Sequence, residues 1–197
     1  MPRTKPHRMN ATERPLRVVV MGVAASGKTT LAVALSRRLQ AEYLEADDLH
    51  SAANVEKMAS GVPLTDDDRW PWLASIRDAL SKTDRVVVAC SALKRSYRDL
   101  LREAGSVRFV YLHTARQLAG ARIAGRTGHF MTARMIESQF AALEPPQPDE
   151  ADVIRVDARR TIDDLVAECG AILEAGGAPG PHAGSLDGGG PLIEGKM

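Results

Sequence analysis

The eight residues Gly22-Val23-Ala24-Ala25-Ser26-Gly27-Lys28-Thr29 constrain this chain more than any other stretch. They fit the pattern G-x-x-x-x-G-K-[ST]. They stand between an apolar run, Leu16 to Met21, and a segment in which Leu31, Leu35 and Leu39 recur at helical spacing. Glycines at both ends let a backbone curl until successive N–H groups point inward, which makes a cradle for phosphate oxygens. The N-terminus of the next helix aims a partial positive charge at the same anion. In such a loop Lys28 reaches β- and γ-phosphates and the Thr29 hydroxyl ligates Mg2+. A Gly-rich turn without function is the bland alternative. With glycine at about 7% of residues in general, so many fixed positions rarely coincide by chance. The stretch predicts an ATP-type phosphate site formed by Gly22, Ala25, Ser26, Gly27, Lys28, Thr29 and Thr30.

The rest of the chain alternates strand and helix signals. Glu42-Tyr43-Leu44-Glu45, Val86 to Cys90, Val107 to Leu112 and Val153 to Val156 read as further short strands. Between them lie helices marked by Leu73, Ile76 and Leu80, by Leu118 and Arg122, and by Ile136, Phe140 and Leu143. Thr161-Ile162-Asp163-Asp164 resembles a capping box and opens a last helix with Ile162, Leu165, Cys169 and Ile172 on one face. This alternation predicts an α/β fold: a five-stranded parallel sheet flanked by helices, a P-loop kinase fold spanning residues 16–175. At 197 residues there is room for one such domain. Residues 1–15, with Pro2, Pro6 and Pro15 among Arg3, Lys5, Arg8 and Arg14, read as a disordered basic arm. Residues 176–197 read as a flexible Gly/Pro-rich tail. From Asn54 to Trp72 the helix pattern is weak and Gly61 and Pro63 break it; Asp66-Asp67-Asp68 is most simply a solvated helix start. The Gly-bounded basic loop Gly125 to Phe130 reads as part of a lid over about 122–132, an ordinary helix–helix turn being the plainer alternative.

Composition narrows the function. A net charge of +1 and only 4% aromatic residues argue against a nucleic-acid partner. No apolar run approaches the roughly 18 residues of a membrane span, and the basic N-terminus lacks the apolar core of a secretory signal. Cys90 and Cys169 lie in apolar runs and form no C-x-x-C, as expected for buried thiols in a reducing, cytoplasmic compartment. A GTPase switch would want N-K-x-D, which is absent, and the D-x-x-G from Asp187 to Gly190 falls in the tail. A motor ATPase would want an acid ending the third strand, where Cys90-Ser91 stands. A small-molecule kinase needs neither. It needs a proton acceptor, cations around the transferring phosphoryl and a cover against water. Asp47 lies past a strand's carboxyl end, the edge at which open α/β sheets bind ligands.

Several blocks go further. Asp47…His50, Asn54 to Leu64, Asp66 to Leu73, Cys90 to Arg95, Tyr97 to Arg102, Gly128-His129-Phe130 and Ser138-Gln139-Phe140 together resemble the gluconate kinases, in order and with similar spacing from about Leu16 to Leu173. The resemblance implies ATP-dependent phosphorylation of D-gluconate to 6-phospho-D-gluconate, on a fold like the nucleoside monophosphate kinases, by a homodimer. It also implies roles. Asp47 would bind the reacting hydroxyl as base, with Lys28 and Arg126 completing the catalytic set. Arg69 would fork onto a carboxylate or hydroxyls, His50 and His129 would hydrogen-bond the polyol, and Lys57 and Lys94 would add positive charge. Arg122 and Arg126 would be lid arginines over the ATP phosphates or adenine, and Glu45 would join Thr29 at Mg2+ through a water. Three departures stand out. Ala24-Ala25 replaces a usual Ser-Gly pair, which is strained if residue 25 needs a positive φ. Glu45 stands where Asp is common, and Ser51 replaces a proline after His50, which should loosen that turn. The alternatives are another small-molecule kinase, such as a shikimate-type kinase, and an ATP-binding module without turnover, for which Ala24-Ala25 is the only support.

Overall fold

Each predicted strand belongs to one parallel sheet. The computed structural model describes residues 15–124 and 133–176 and contains β1 (Leu16–Met21), β2 (Glu42–Glu45), β3 (Arg85–Ala89), β4 (Val107–His113) and β5 (Val153–Asp157). Their spatial order is β2-β3-β1-β4-β5, all parallel, with Val18 opposite Val87 and Arg108. The helices are α1 (Lys28–Arg38), α2 (Ala52–Ala59), α3 (Asp66–Lys82), α4 (Arg95–Arg102), α5 (Arg116–Ala124), α6 (Ala133–Ala142) and α7 (Ile162–Glu174), with a 3-10 turn at Ala46–Leu49.

The unbroken apolar run of β1 has a physical reason. Val18 and Val20 pack with Leu31 and Leu35 of α1 and Leu165 and Cys169 of α7. Val19 and Met21 point the other way, onto Leu73 and Ile76 of α3 and Leu101 of α4. With both faces covered, every side chain of the run is removed from water, at roughly 1.5–3 kcal/mol for each large aliphatic group. Parallel strands also bring their carboxyl ends to one edge. The phosphate loop after β1, the 3-10 turn after β2 and Ser91 after β3 all lie there.

Two helices escape the periodicity reading. In α4, the Arg98 side chain is fully buried, its Nε and Nη2 each donating to the Glu150 carboxylate at 2.7 Å and its Nη1 to the Glu144 carbonyl at 3.1 Å. A helix anchored by a buried ion pair shows few apolar residues to a pattern search. Helix α2 starts at Ser51, whose side chain accepts the N–H of Asn54 at 3.2 Å. Ser51 therefore does not loosen its turn: it is an N-cap, and its φ of −62 is the value a proline would fix. The acids opening α3 are more than a solvated start. Thr65 and Asp68 form a capping box, while Asp66 accepts from Lys94 Nζ at 2.6 Å and from the Tyr97 hydroxyl at 2.7 Å. The N-terminal arm through residue 14, the tail from residue 177 and the predicted lid over 125–132 lie outside the described residues.

Candidate active site

The phosphate loop is held open by its own backbone. Gly22 has φ 142 and a Cβ there would stand 2.8 Å from the Leu112 carbonyl oxygen, so strand β4 leaves no room for a side chain. Gly27, with φ 103, caps α1 without a side-chain partner, leaving the helix's first N–H groups open to an anion. Ala25 has φ 57, so residue 25 does adopt the left-handed conformation. An alanine there costs about 1–2 kcal/mol that glycine would not. Arg122 braces the loop from α5: Nη1 donates to the carbonyls of Ser26 at 2.8 Å and Ala25 at 3.3 Å, and Nη2 to Ala158 at 2.8 Å. Lys28 Nζ rests on the Val23 carbonyl at 2.8 Å. Thr29 Oγ1 donates to Glu45 Oε2 at 2.9 Å, and the Tyr43 hydroxyl donates to the same oxygen at 2.6 Å. Thr30 is exposed on the first turn of α1.

A cleft of about 260 Å3 runs from this loop to the start of α3. Lys28, Thr29 and Glu45 line it beside the phosphate loop, and Asp47, His50 and Arg69 also line it. The part around Asp47 and His50 is assembled by one tryptophan. Trp72 is buried, donates its Nε1 proton to the Ala46 carbonyl at 2.6 Å, and stacks on the His50 ring at 4.3 Å between centroids and 12° between planes. It thus fixes both the turn that carries Asp47 and the histidine three residues on. His50 Nδ1 faces the Asn54 side-chain amide at 3.4 Å, and Asn54 also donates to the Asp68 carbonyl at 2.8 Å. Nδ1 being the acceptor, the proton sits on Nε2, which faces Asp47 Oδ1 at 4.0 Å. Burial, with the nearby Arg69 charge, pushes the His50 pKa down to about 4, so the ring is neutral at physiological pH. The walls of the cleft raise the Asp47 carboxyl above its ordinary value while Lys28 opposes them. Asp47 nevertheless keeps 75% of its side chain open to water. Cys90 also lines the cleft, but burial pushes its thiol up to about 12 and removes it as a nucleophile.

The predicted residues thus divide. Lys28, Thr29, Ala25, Glu45, Asp47, His50 and Arg69 meet in one cleft. Lys57 and Lys94 do not line it: Lys57 pairs with Asp68 at 2.5 Å and Lys94 with Asp66 at 2.6 Å, which fastens α3 to α2 and α4. Arg126 and His129 lie outside the described residues. Sequence reasoning passed over Trp72, Ser91 and Gln139 as lining residues. Gln139 had a signal: it interrupts the apolar helical face of Ile136, Phe140 and Leu143.

Comparison with known proteins decides the family. A family model described as an AAA domain matches residues 18–146. A probable gluconokinase of Schizosaccharomyces pombe is 45% identical over 174 residues, covering 82% of this chain and 90% of its own length. The gluconokinase of Gluconobacter oxydans is 46% identical over 160 residues, covering 79% and 89%. The crystal structure of a gluconokinase from Sinorhizobium meliloti superposes with a TM-score of 0.76 at 43% identity, covering 82% of this chain and 93% of that one. This chain belongs to the gluconokinase family. Its P-loop kinase fold is likewise that of its family neighbours. Within the gluconokinase family frame, Ala25 is a strained phosphate-loop residue and Ser51 a helix cap.

Proposed function

We propose that this protein is a gluconokinase, which transfers the γ-phosphoryl group of ATP to D-gluconate and releases 6-phospho-D-gluconate and ADP. The observation that carries this reading is that Lys28, Thr29, Asp47, His50 and Arg69 line one and the same cleft. A phosphate donor and a polyol acid held there face each other. The C6 oxygen attacks the γ-phosphorus in line, the bond from that phosphorus to the β–γ bridging oxygen breaks, and the hydroxyl proton passes to the Asp47 carboxylate. Because phosphoryl transfer is loose, Asp47 acts as much by orienting the hydroxyl as by removing its proton. The loop amides and Lys28 neutralise charge on the phosphates. Neutral His50 donates from Nε2 to a polyol oxygen, so the substrate carboxylate falls to the Arg69 fork.

The donor set beside the phosphates suits Mg2+. Thr29 Oγ1 would ligate the ion directly and Glu45 Oε2, 2.9 Å from it, would accept from a metal-bound water, in keeping with an ion that takes one or two protein ligands beside phosphates and waters. Bound there, Mg2+ would neutralise developing phosphate charge. A cytoplasmic homodimer completes the proposal, supported by the buried free thiols and by the family resemblance. Among the described residues no helix is long and apolar enough to cross a membrane.

A coupled assay for ADP with gluconate, shikimate and nucleoside monophosphates at fixed Mg2+ tests the assignment. Gluconate should turn over fastest, and faster turnover of either other acceptor rejects it. Arg69→Lys should raise the gluconate KM at least tenfold while the KM for ATP stays within twofold, because a point charge cannot replace a bidentate fork.

A further inference from the structure

The phosphate loop has a partner that the kinase chemistry above does not use. The backbone N–H of Ala24 donates to Oε1 of Gln139, on α6, at 2.7 Å across 115 positions of chain. Only the carbonyl end of an amide can accept from an N–H, so this contact fixes which way the Gln139 amide points. Its NH2 end is left over, and among the described residues Nε2 donates to no protein group. Gln139 lines the same cleft as Lys28, Thr29 and Asp47. The peptide unit joining Val23 to Ala24 is gripped at both poles, by Lys28 Nζ on its carbonyl at 2.8 Å and by Gln139 on its N–H. Two donor side chains therefore flank one bend of the loop from opposite sides. An anion held at that bend would meet both, and the phosphate that Lys28 reaches is the outermost one.

We propose that Gln139 is a binding residue for the terminal phosphate of the nucleotide, with Oε1 seated on the loop and Nε2 donating to a γ-phosphate oxygen. It rests on the kinase reading above and adds a sensor that distinguishes ATP from ADP. The anchoring bond makes the donor preorganised: the amide is already oriented before the nucleotide arrives, so binding does not freeze its last rotor.

Gln139→Glu separates the two functions of the amide, because a carboxylate still accepts from Ala24 N–H but cannot donate to phosphate. Titration calorimetry with a non-hydrolysable ATP analogue and with ADP, both with Mg2+, reads the result. The analogue's Kd should rise at least tenfold while that of ADP stays within twofold and the melting temperature is unchanged. Gln139→Leu, which removes both ends, should weaken the analogue more than ADP as well. Equal weakening of both nucleotides, or weakening of neither, overturns the proposal and leaves Gln139 a loop latch. The affinity ratio needs no acceptor substrate, so this result is independent of whether the wild-type protein phosphorylates gluconate.

Discussion

The two ends of the cleft are built on different principles. The phosphate end is built mostly on continuous chain: residues 22–29 form a single loop that offers backbone N–H groups, with Glu45, Arg122 and Gln139 added from other elements. The acceptor end is assembled from the turn after β2 and from α3, and it is held by side chains: Trp72 on Ala46 and His50, Asn54 on His50, Asp66 on Lys94 and Tyr97. One end needs the right conformation, the other the right neighbours. Substitutions at the first should therefore change chemistry with little loss of fold, and substitutions at the second should couple recognition to stability.

The largest expected effect tests the first half of that statement. Lys28→Ala should lower kcat/KM by about a thousandfold, roughly 4 kcal/mol, because it removes a fixed charge from the phosphoryl in transfer. Its melting temperature should stay near that of the wild type, and a large drop would break the contrast. Next comes Trp72→Ala, expected to cost about 3–4 kcal/mol in chemical denaturation as a large buried side chain is lost. The same variant should weaken gluconate binding while ADP affinity holds. Third is the pH dependence of the acceptor end. His50 ionises near 4 in the folded protein but near 6.5 when unfolded, so protonation favours the unfolded chain. Its contribution of about 3 kcal/mol is complete above pH 6.5 and is lost as the pH falls from 6.5 to 4. His50→Gln should flatten that part of the stability curve. The smallest effect belongs to the loop. Ala25→Gly should relieve the positive φ, but added freedom in the unfolded chain offsets part of the gain, leaving less than about 1 kcal/mol. Tighter ATP binding by that variant would show that the strain resides in the free loop.

The same contrast explains what could be seen in the sequence. All five strands and the phosphate loop were legible because they are local: apolar runs buried on both faces, and a loop whose two glycines follow from its own backbone. Asp47, His50 and Arg69 were reached through the resemblance to gluconate kinases and do line the cleft. Lys57 and Lys94 show the limit of that route, since a lysine near a substrate segment reads alike whether it faces ligand or a neighbouring aspartate. Trp72 stood only at the end of the weakly patterned stretch from Asn54, and nothing in its neighbours in sequence announces a bond to the Ala46 carbonyl. Helix α4 stayed hidden because its deepest side chain, Arg98, is charged, and its partner Glu150 lies 52 positions away.

The fastening of α3 has a mechanical consequence. With Lys57 and Asp68 joining it to α2, Lys94 and Tyr97 joining it to α4, and the indole joining it to the β2 end, this helix cannot swing as a jaw without breaking several polar contacts at once. On the proposed function, the sugar acid would meet an α3 that is already fastened in place. Its binding should then carry no heat-capacity contribution from a rearrangement of α3.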